Sequence, residues 1–236
     1  MKHIIFLTIT ACLLASCARQ APNLENIKSV GVSNGFGNTL HRNKVGTTIF
    51  NNDQEKADVP EISDNISKTA VKNLKTRFAV VQNLTVPTKQ SVTQLFVRPT
   101  IINEVLFRKD SIAAARAKNL DAVWILYPSI LVDPNGRGPY IRGSQHRVEY
   151  MLGIKGETVS CISQAELVDT RDGKVISPLI SYFAVIPLKS NNNWTSRLEQ
   201  YDPVSKRRII DGVTDAGKLA VVQELNLAKI TNSPIQ

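Results

Sequence analysis

Ala122-Val123-Trp124-Ile125-Leu126-Tyr127 is a nearly continuous apolar run six residues long. A strand with one wet face alternates apolar and polar residues, whereas a short unbroken run is what a strand covered on both faces requires. Just before it, Asp110 to Lys118 reads as a helix. Asp110 is placed to cap its start, the body is rich in alanine, Arg116 and Lys118 fall in the last turn, and Asn119 is a stop signal. A helix that runs straight into a doubly covered strand implies helices layered on a sheet. Further on, Val148, Tyr150, Leu152 and Ile154 alternate with Arg147, Glu149 and Met151, the period of a strand with one covered face. Val159 to Val168 and Lys174 to Ile186 then flank Asp169-Thr170-Arg171-Asp172-Gly173, a hairpin signal in which Gly173 can take a positive φ. The expected class is α/β (α+β): a mixed sheet with an antiparallel meander in its C-terminal half and helices packed on it.

Upstream, Ile27 to Ser33 reads as the first strand, ending in the turn-forming Asn34-Gly35-Phe36-Gly37-Asn38. Residues 35–57 show no sustained period and are expected to form a long loop. Asp58-Val59-Pro60-Glu61 can cap a helix and close a capping box, after which Ile62, Ile66, Ala70 and Leu74 recur at helical spacing. Lys68, Lys72 and Lys75 lie off that stripe, so one face is buried and one is wet. Phe78 to Val81 reads as a second strand. Pro87 and Pro99 break residues 83–107 into pieces too short for periodicity to decide. Asp133 to Pro139 is a strong turn, residues 187–210 read as an irregular cover with a lone Trp194, and Thr214 to Ile230 is the expected last helix. One domain spanning 27–230 accommodates these elements.

The first residues carry a different message. Lys2 is followed by an apolar run from Ile4 to Leu14. That is long enough for the core of an export signal and shorter than the roughly 20 apolar residues a membrane span needs. It ends Leu14-Ala15-Ser16-Cys17, which resembles the bacterial lipobox at every position. The resemblance implies removal of residues 1–16 by cleavage between Ser16 and Cys17, with diacylglycerol on the Cys17 sulfur. Two or more acyl chains hold a protein to a membrane firmly, at about 0.8 kcal/mol per buried CH₂. Ala18, rather than an aspartate, follows the cysteine. In Gram-negative lipoproteins that resemblance implies an outer-membrane destination, facing the periplasm. Residues 17–26 read as a short lipidated tether.

The net charge of +9 becomes +8 once Lys2 is removed with the signal. For an exported chain, such a balance points away from nucleic acid and towards phosphates, carboxylates or an acidic protein face. The densest cluster is Lys206-Arg207-Arg208 with Arg197 nearby, a candidate basic binding surface whose plain alternative is a solvated face. With Cys12 lost and Cys17 acylated, Cys161 is the one remaining thiol. It lies in a strand-like stretch that suits a small buried cysteine.

Signals for chemistry are weak. His41 and His146 stand in no metal-binding spacing and read as surface histidines. No Gly-x-Ser-x-Gly or Ser-x-x-Lys is present to mark an activated serine. Asp133-Pro134-Asn135-Gly136 begins like a calcium loop but continues Arg137-Gly138, without oxygen ligands. No cofactor, no metal and no catalytic set is expected.

The order of elements, with Asn119-Leu120-Asp121-Ala122-Val123 and the Leu167-to-Ser177 phrase LVDTRDGKVIS, resembles a periplasmic α/β group. That group comprises the amino-terminal domain of TolB, the curli-secretion lipoproteins and the lipoprotein activators of penicillin-binding proteins. The resemblance covers roughly residues 27–186. It implies a non-enzymatic, membrane-anchored domain that serves an envelope complex as a binding, assembly or accessory factor, with another envelope protein as partner. A receptor or carrier for an anionic envelope molecule is the alternative, and a hydrolase built from residues that converge only in space is a more distant one.

Overall fold

The computed structural model describes residues 21–47, 52–86, 100–131, 141–151, 154–189, 194–232 and 234. The signal region, Cys17 and the Asp133-to-Pro139 turn lie outside them. In chain order the elements are β1 (Ser29–Asn34), β2 (Thr39–Val45), β3 (Asp53–Asp58), α1 (Pro60–Leu74), β4 (Val80–Leu84), α2 (Thr100–Ala117) and β5 (Ala122–Pro128). There follow β6 (Ile130–Leu131), β7 (Ile141–Arg142), β8 (Ser144–Met151), β9 (Ile154–Asp169), β10 (Val175–Pro187), a 3-10 turn at Leu198–Gln200, and α3 (Pro203–Leu227).

The long strand β9 organises the sheet. Its one edge pairs antiparallel with β10, from Pro187↔Thr158 to Val175↔Val168. A strand has only two edges, so the other is shared. Its first half takes β8, from Met151↔Ile154 to Ser144↔Cys161, and its second half takes β5, from Pro128↔Ser163 to Ala122↔Asp169. Thus β5 and β8 stand end to end along β9, and the β6–β7 pair is an excursion between them. The excursion is stitched down at its root, where the Ile162 amide donates to the Gly143 carbonyl (2.9 Å) and the Ser129 amide to the Ile162 carbonyl (3.2 Å). β1 joins β5 and β2 joins β8, both in parallel. β4 and β3 complete the two wings. The expected class holds: a mixed eight-stranded sheet, an antiparallel C-terminal meander, and three helices packed against it.

The apolar run of β5 is explained by its neighbours. Ala122, Trp124 and Leu126 face the larger core, which α1 and α3 cover, while Val123, Ile125 and Tyr127 face the smaller core under α2. On the first face α1 and α3 touch closely, and a Cβ at Gly217 of α3 would lie 2.7 Å from Ile66 Cδ1 of α1. Asn119, with φ 54°, ends the α2 connection, and Gly173, with φ 74°, closes the β9–β10 hairpin, both as their types predict. Cys161 is fully buried, and desolvation pushes its thiol well above the ordinary range.

Several expectations are corrected. Residues 35–57 are not one long loop, because 39–45 and 53–58 form the β2–β3 ribbon. Asp58 ends β3 instead of capping α1. Val59 holds the cap position without a side-chain bond, so the capping box does not form. The strand expected at Phe78–Val81 is β4, Val80–Leu84, which starts two residues later, and α2 begins at Thr100, ahead of Asp110. The irregular segment at 187–210 ends early. α3 starts at Pro203, eleven residues before Thr214, capped by Asp202, whose carboxylate accepts from the Val204 and Ser205 amides. Asp-Pro is a helix-start signal, and here the polar residues that follow it masked the period.

Candidate functional site

Sequence reasoning missed the most charged interior feature. β2 and β3 set Arg42 opposite Glu55, and β2 and β8 set Arg42 beside His146. Arg42 is fully buried. Its guanidinium lies between the rings of Trp194 (4.4 Å to the centroid) and Tyr201 (5.0 Å). It is paired with Glu55, and it donates through Nη2 to the Thr195 carbonyl (3.1 Å). Glu55 Oε1 also accepts from the Leu198 amide (3.0 Å), and Trp194 Nε1 donates to Asp53 Oδ2 (2.8 Å). That last bond is the main reason the Asp53 carboxyl is held below the usual range.

His146, read from the sequence as a surface histidine, has no exposed area. Its sheet neighbours are Arg42 on β2 and Val159 on β9, so an ionic partner interrupts the apolar signature of its burial. Arg42 Nε, which can only donate, sits 3.4 Å from Nδ1, and Nε2 lies 2.9 Å from Glu157 Oε1. The consistent tautomer is therefore Nε2–H donating to Glu157. Desolvation lowers the imidazole pKa and outweighs the opposing pull of Glu157, which keeps the ring neutral. Glu157 is also 3.5 Å from Lys155 Nζ. Arg42 thus faces Glu55, and Glu157 faces Lys155. The geometry of the cluster is that of a clasp fastening residues 194–201 across β2, β3 and β8. Among the described residues, no three His, Cys, Asp or Glu are placed to hold a metal ion.

The basic residues singled out from the sequence are only partly brought together. Arg207 and Arg208 border a surface trough with Leu188, Val204, Gly212 and Asp215, but Arg197 and Lys206 do not line it. Arg207 is committed to Asp211 (2.6 Å) and Glu61 (3.1 Å), and Arg208 donates to the Lys189 carbonyl (3.0 Å). Arg197 is exposed at the start of the 3-10 turn, where its amide donates to Gln200 Oε1. Much of this cationic charge is already engaged.

A second groove has a different character. Lys68, Lys72 and Lys75 follow one another at i, i+4 and i+7 along α1, and with Val71, Val81 and Asn83 they line a trough between the helix and β4. All three ammonium groups are on exposed residues, and among the described residues none has a carboxylate partner. β4 ends its wing of the sheet and pairs with β1 alone among those residues. An open strand edge is a template for another strand. Here it runs beside a row of positive charge, whose only sequence signal was its position off the apolar stripe of α1.

No family model and no curated protein matches the chain. Solved structures to which it is similar include the PelC dodecamer of Paraburkholderia phytofirmans, at 13% identity over 89% of this chain and 93% of that chain, with a TM-score of 0.35. Protein XCC0632 of Xanthomonas campestris is 10% identical over 89% of each chain, with a TM-score of 0.41. Lipoprotein GNA1162 of Neisseria meningitidis is 12% identical over 79% of this chain and 95% of that chain, with a TM-score of 0.30.

Proposed function

We propose that this chain is an envelope lipoprotein, cleaved between Ser16 and Cys17 and held by lipid on Cys17, that works without catalysis as a binding or assembly factor for an envelope complex. Ala18 supports an outer-membrane destination facing the periplasm. The anchor rests on Leu14-Ala15-Ser16-Cys17, and its consequence is direct. Replacing Cys17 with serine abolishes incorporation of labelled palmitate and leaves a precursor longer by the signal. Continued labelling of the variant would defeat the anchor.

The observation that carries the binding role is the lysine-lined groove at the β4 edge. An extended acidic segment of a partner protein fits it, because its backbone can continue the sheet while its carboxylates meet Lys68, Lys72 and Lys75. A photo-crosslinking residue at Asn83 should trap that partner in cells. The Lys68→Glu/Lys72→Glu variant should lower the yield about tenfold, equivalent to about 1.4 kcal/mol. An unchanged yield would place the partner elsewhere.

The same three unpaired ammonium groups suit the second reading, an anionic lipid or cell-wall fragment. The two readings part on salt. A strand-adding protein holds on through main-chain bonds, whereas a purely ionic ligand is released as the screening length falls from about 10 Å at 0.1 M to about 3 Å at 1 M. Arg197, Lys206, Arg207 and Arg208 would serve this ligand less well, since Arg207 and Arg208 are engaged within the fold.

A further inference from the structure

Three helices end at one end of the molecule. α1 finishes there before β4, α2 before β5, and the residues after α3 meet the start of β10. The same end holds the first residues of β1 and β5, tied by Asp121, which accepts from the Lys28 and Ser29 amides and from Ser29 Oγ, all at 2.9 Å. The β9–β10 hairpin completes it.

The chain also leaves the fold here towards Cys17. Leu24 and Ile27 are buried in the larger core, and Pro22 lines a small cleft together with Ile176, Pro178, Leu227 and Lys229. The buried Leu24 stands seven positions after Cys17, a reach of at most about 25 Å even when fully extended. A lipid on Cys17 therefore keeps this end nearest the bilayer.

Its charge suits that position. Lys28, Lys75, Arg77, Arg116, Lys118, Arg171, Lys174 and Lys229 are all exposed residues, against Glu25, Asp121, Asp169 and Asp172. Eight cations against four acids leave a net positive face, and two of the acids are already paired, Asp169 with Arg171 and Asp172 with Lys174. Cations after a helix also favour its C-terminal dipole, so three helices ending together concentrate them. Apolar side chains stand among them, with Val80, Val175 and Leu227 each between 44% and 47% exposed. The opposite ends of α1 and α3 mix charges instead: Glu61, Asp64, Asp202 and Asp211 stand among Lys206, Arg207 and Arg208, and Arg207 is paired with Glu61 and Asp211.

We infer that this basic end is a membrane-apposed face that lies on anionic phospholipid headgroups, so that the anchor and the face together orient the domain and turn the β2–β3 wing and the start of α3 away from the bilayer. The inference rests on lipidation at Cys17. Each basic residue near an anionic surface contributes about 1 kcal/mol at low salt, enough to select one orientation of a tethered body.

The test uses the full lipidated protein mixed with vesicles of phosphatidylcholine alone or with phosphatidylglycerol added. Flotation comes first, followed by amine labelling of each lysine read by mass spectrometry. Flotation with both vesicles at any salt is expected from the anchor. On the anionic vesicles, labelling of Lys28, Lys118, Lys174 and Lys229 should fall several-fold while Lys56, Lys206 and Lys218 stay reactive, and high salt should restore it. If the protein floats but all lysines label alike on both vesicles, or if Lys56 and Lys206 are the protected ones, the oriented face is overturned and the anchor stands. Failure to float overturns the anchor and the orientation with it.

Discussion

Replacing Arg42 with alanine should lower the free energy of unfolding by about 3–5 kcal/mol, the usual cost of removing one partner of a buried ion pair. The cost lies in what remains. Glu55, with a side chain 14% exposed, would keep only the Leu198 amide as a donor, and His146 Nδ1 would lose the donor that fixes its tautomer. Trp194 and Tyr201 would face an empty slot where the guanidinium lay. Lysine cannot substitute, since a single ammonium does not reproduce a planar fork held between two rings. Against a typical total of about 5–15 kcal/mol for a folded domain, this loss is large. Residues 194–201 should become open to proteolysis well below the unfolding midpoint. The Arg42→Met/Glu55→Gln double variant should recover part of the stability by removing the stranded carboxylate. Urea titration followed by tryptophan emission, together with limited proteolysis, reads both effects. A loss under about 1 kcal/mol with residues 194–201 still protected would mean the clasp contributes no more than an exposed ion pair.

Glu224→Gln should stabilise the protein, and increasingly so as the pH rises. Glu224 is fully buried on α3, and desolvation pushes its carboxyl up to about 8 although Ser163 Oγ donates to Oε1 at 2.7 Å. Its ordinary value is 4.5. Below that pH both folded and unfolded states hold the proton. Between 4.5 and about 8 the unfolded chain releases it and the folded protein keeps it, so stability falls as pH rises across this window. At about 1.4 kcal/mol per pH unit the full fall is roughly 5 kcal/mol. Glutamine has no such proton to lose. Unfolding free energies of the two proteins should therefore lie closest near pH 5 and diverge to roughly 3–4 kcal/mol by pH 8, in favour of the variant. Parallel curves across that range would show that Glu224 is ionised in the folded protein.

The layering of the fold was legible because β5 is covered on both faces, and a strand in that position has to be apolar at every residue. Helix ends and the β9–β10 hairpin were legible for an equally local reason. Asn119 and Gly173 adopt the positive φ that their residue types tolerate, and each acts within a few residues of itself. The β2–β3 ribbon was illegible because, between the buried Leu40 and Ala57, its interior is built from Arg42 and Asn43 with the half-buried Glu55 opposite. A search for hydrophobic period finds nothing where the buried side chains are ionic. The start of α3 failed similarly, since Lys206, Arg207 and Arg208 obscure the buried Ser205, Ile209 and Ile210.

The sites divide along the same line. Leu14 to Cys17 is read by its order along the chain, so sequence alone specifies the expected processing at Cys17. The partners of Arg42 lie 13, 104 and 153 residues away, and the basic end gathers cations from three separate helix ends and a hairpin. What the sequence determined by itself is what acts between near neighbours: the helix stops, the hairpin and the strand covered on both faces. Tertiary structure alone decided which charges meet, because pairing a buried ion depends on register between strands distant in sequence, and which charges share a face, because that depends on which ends of the helices the sheet brings together.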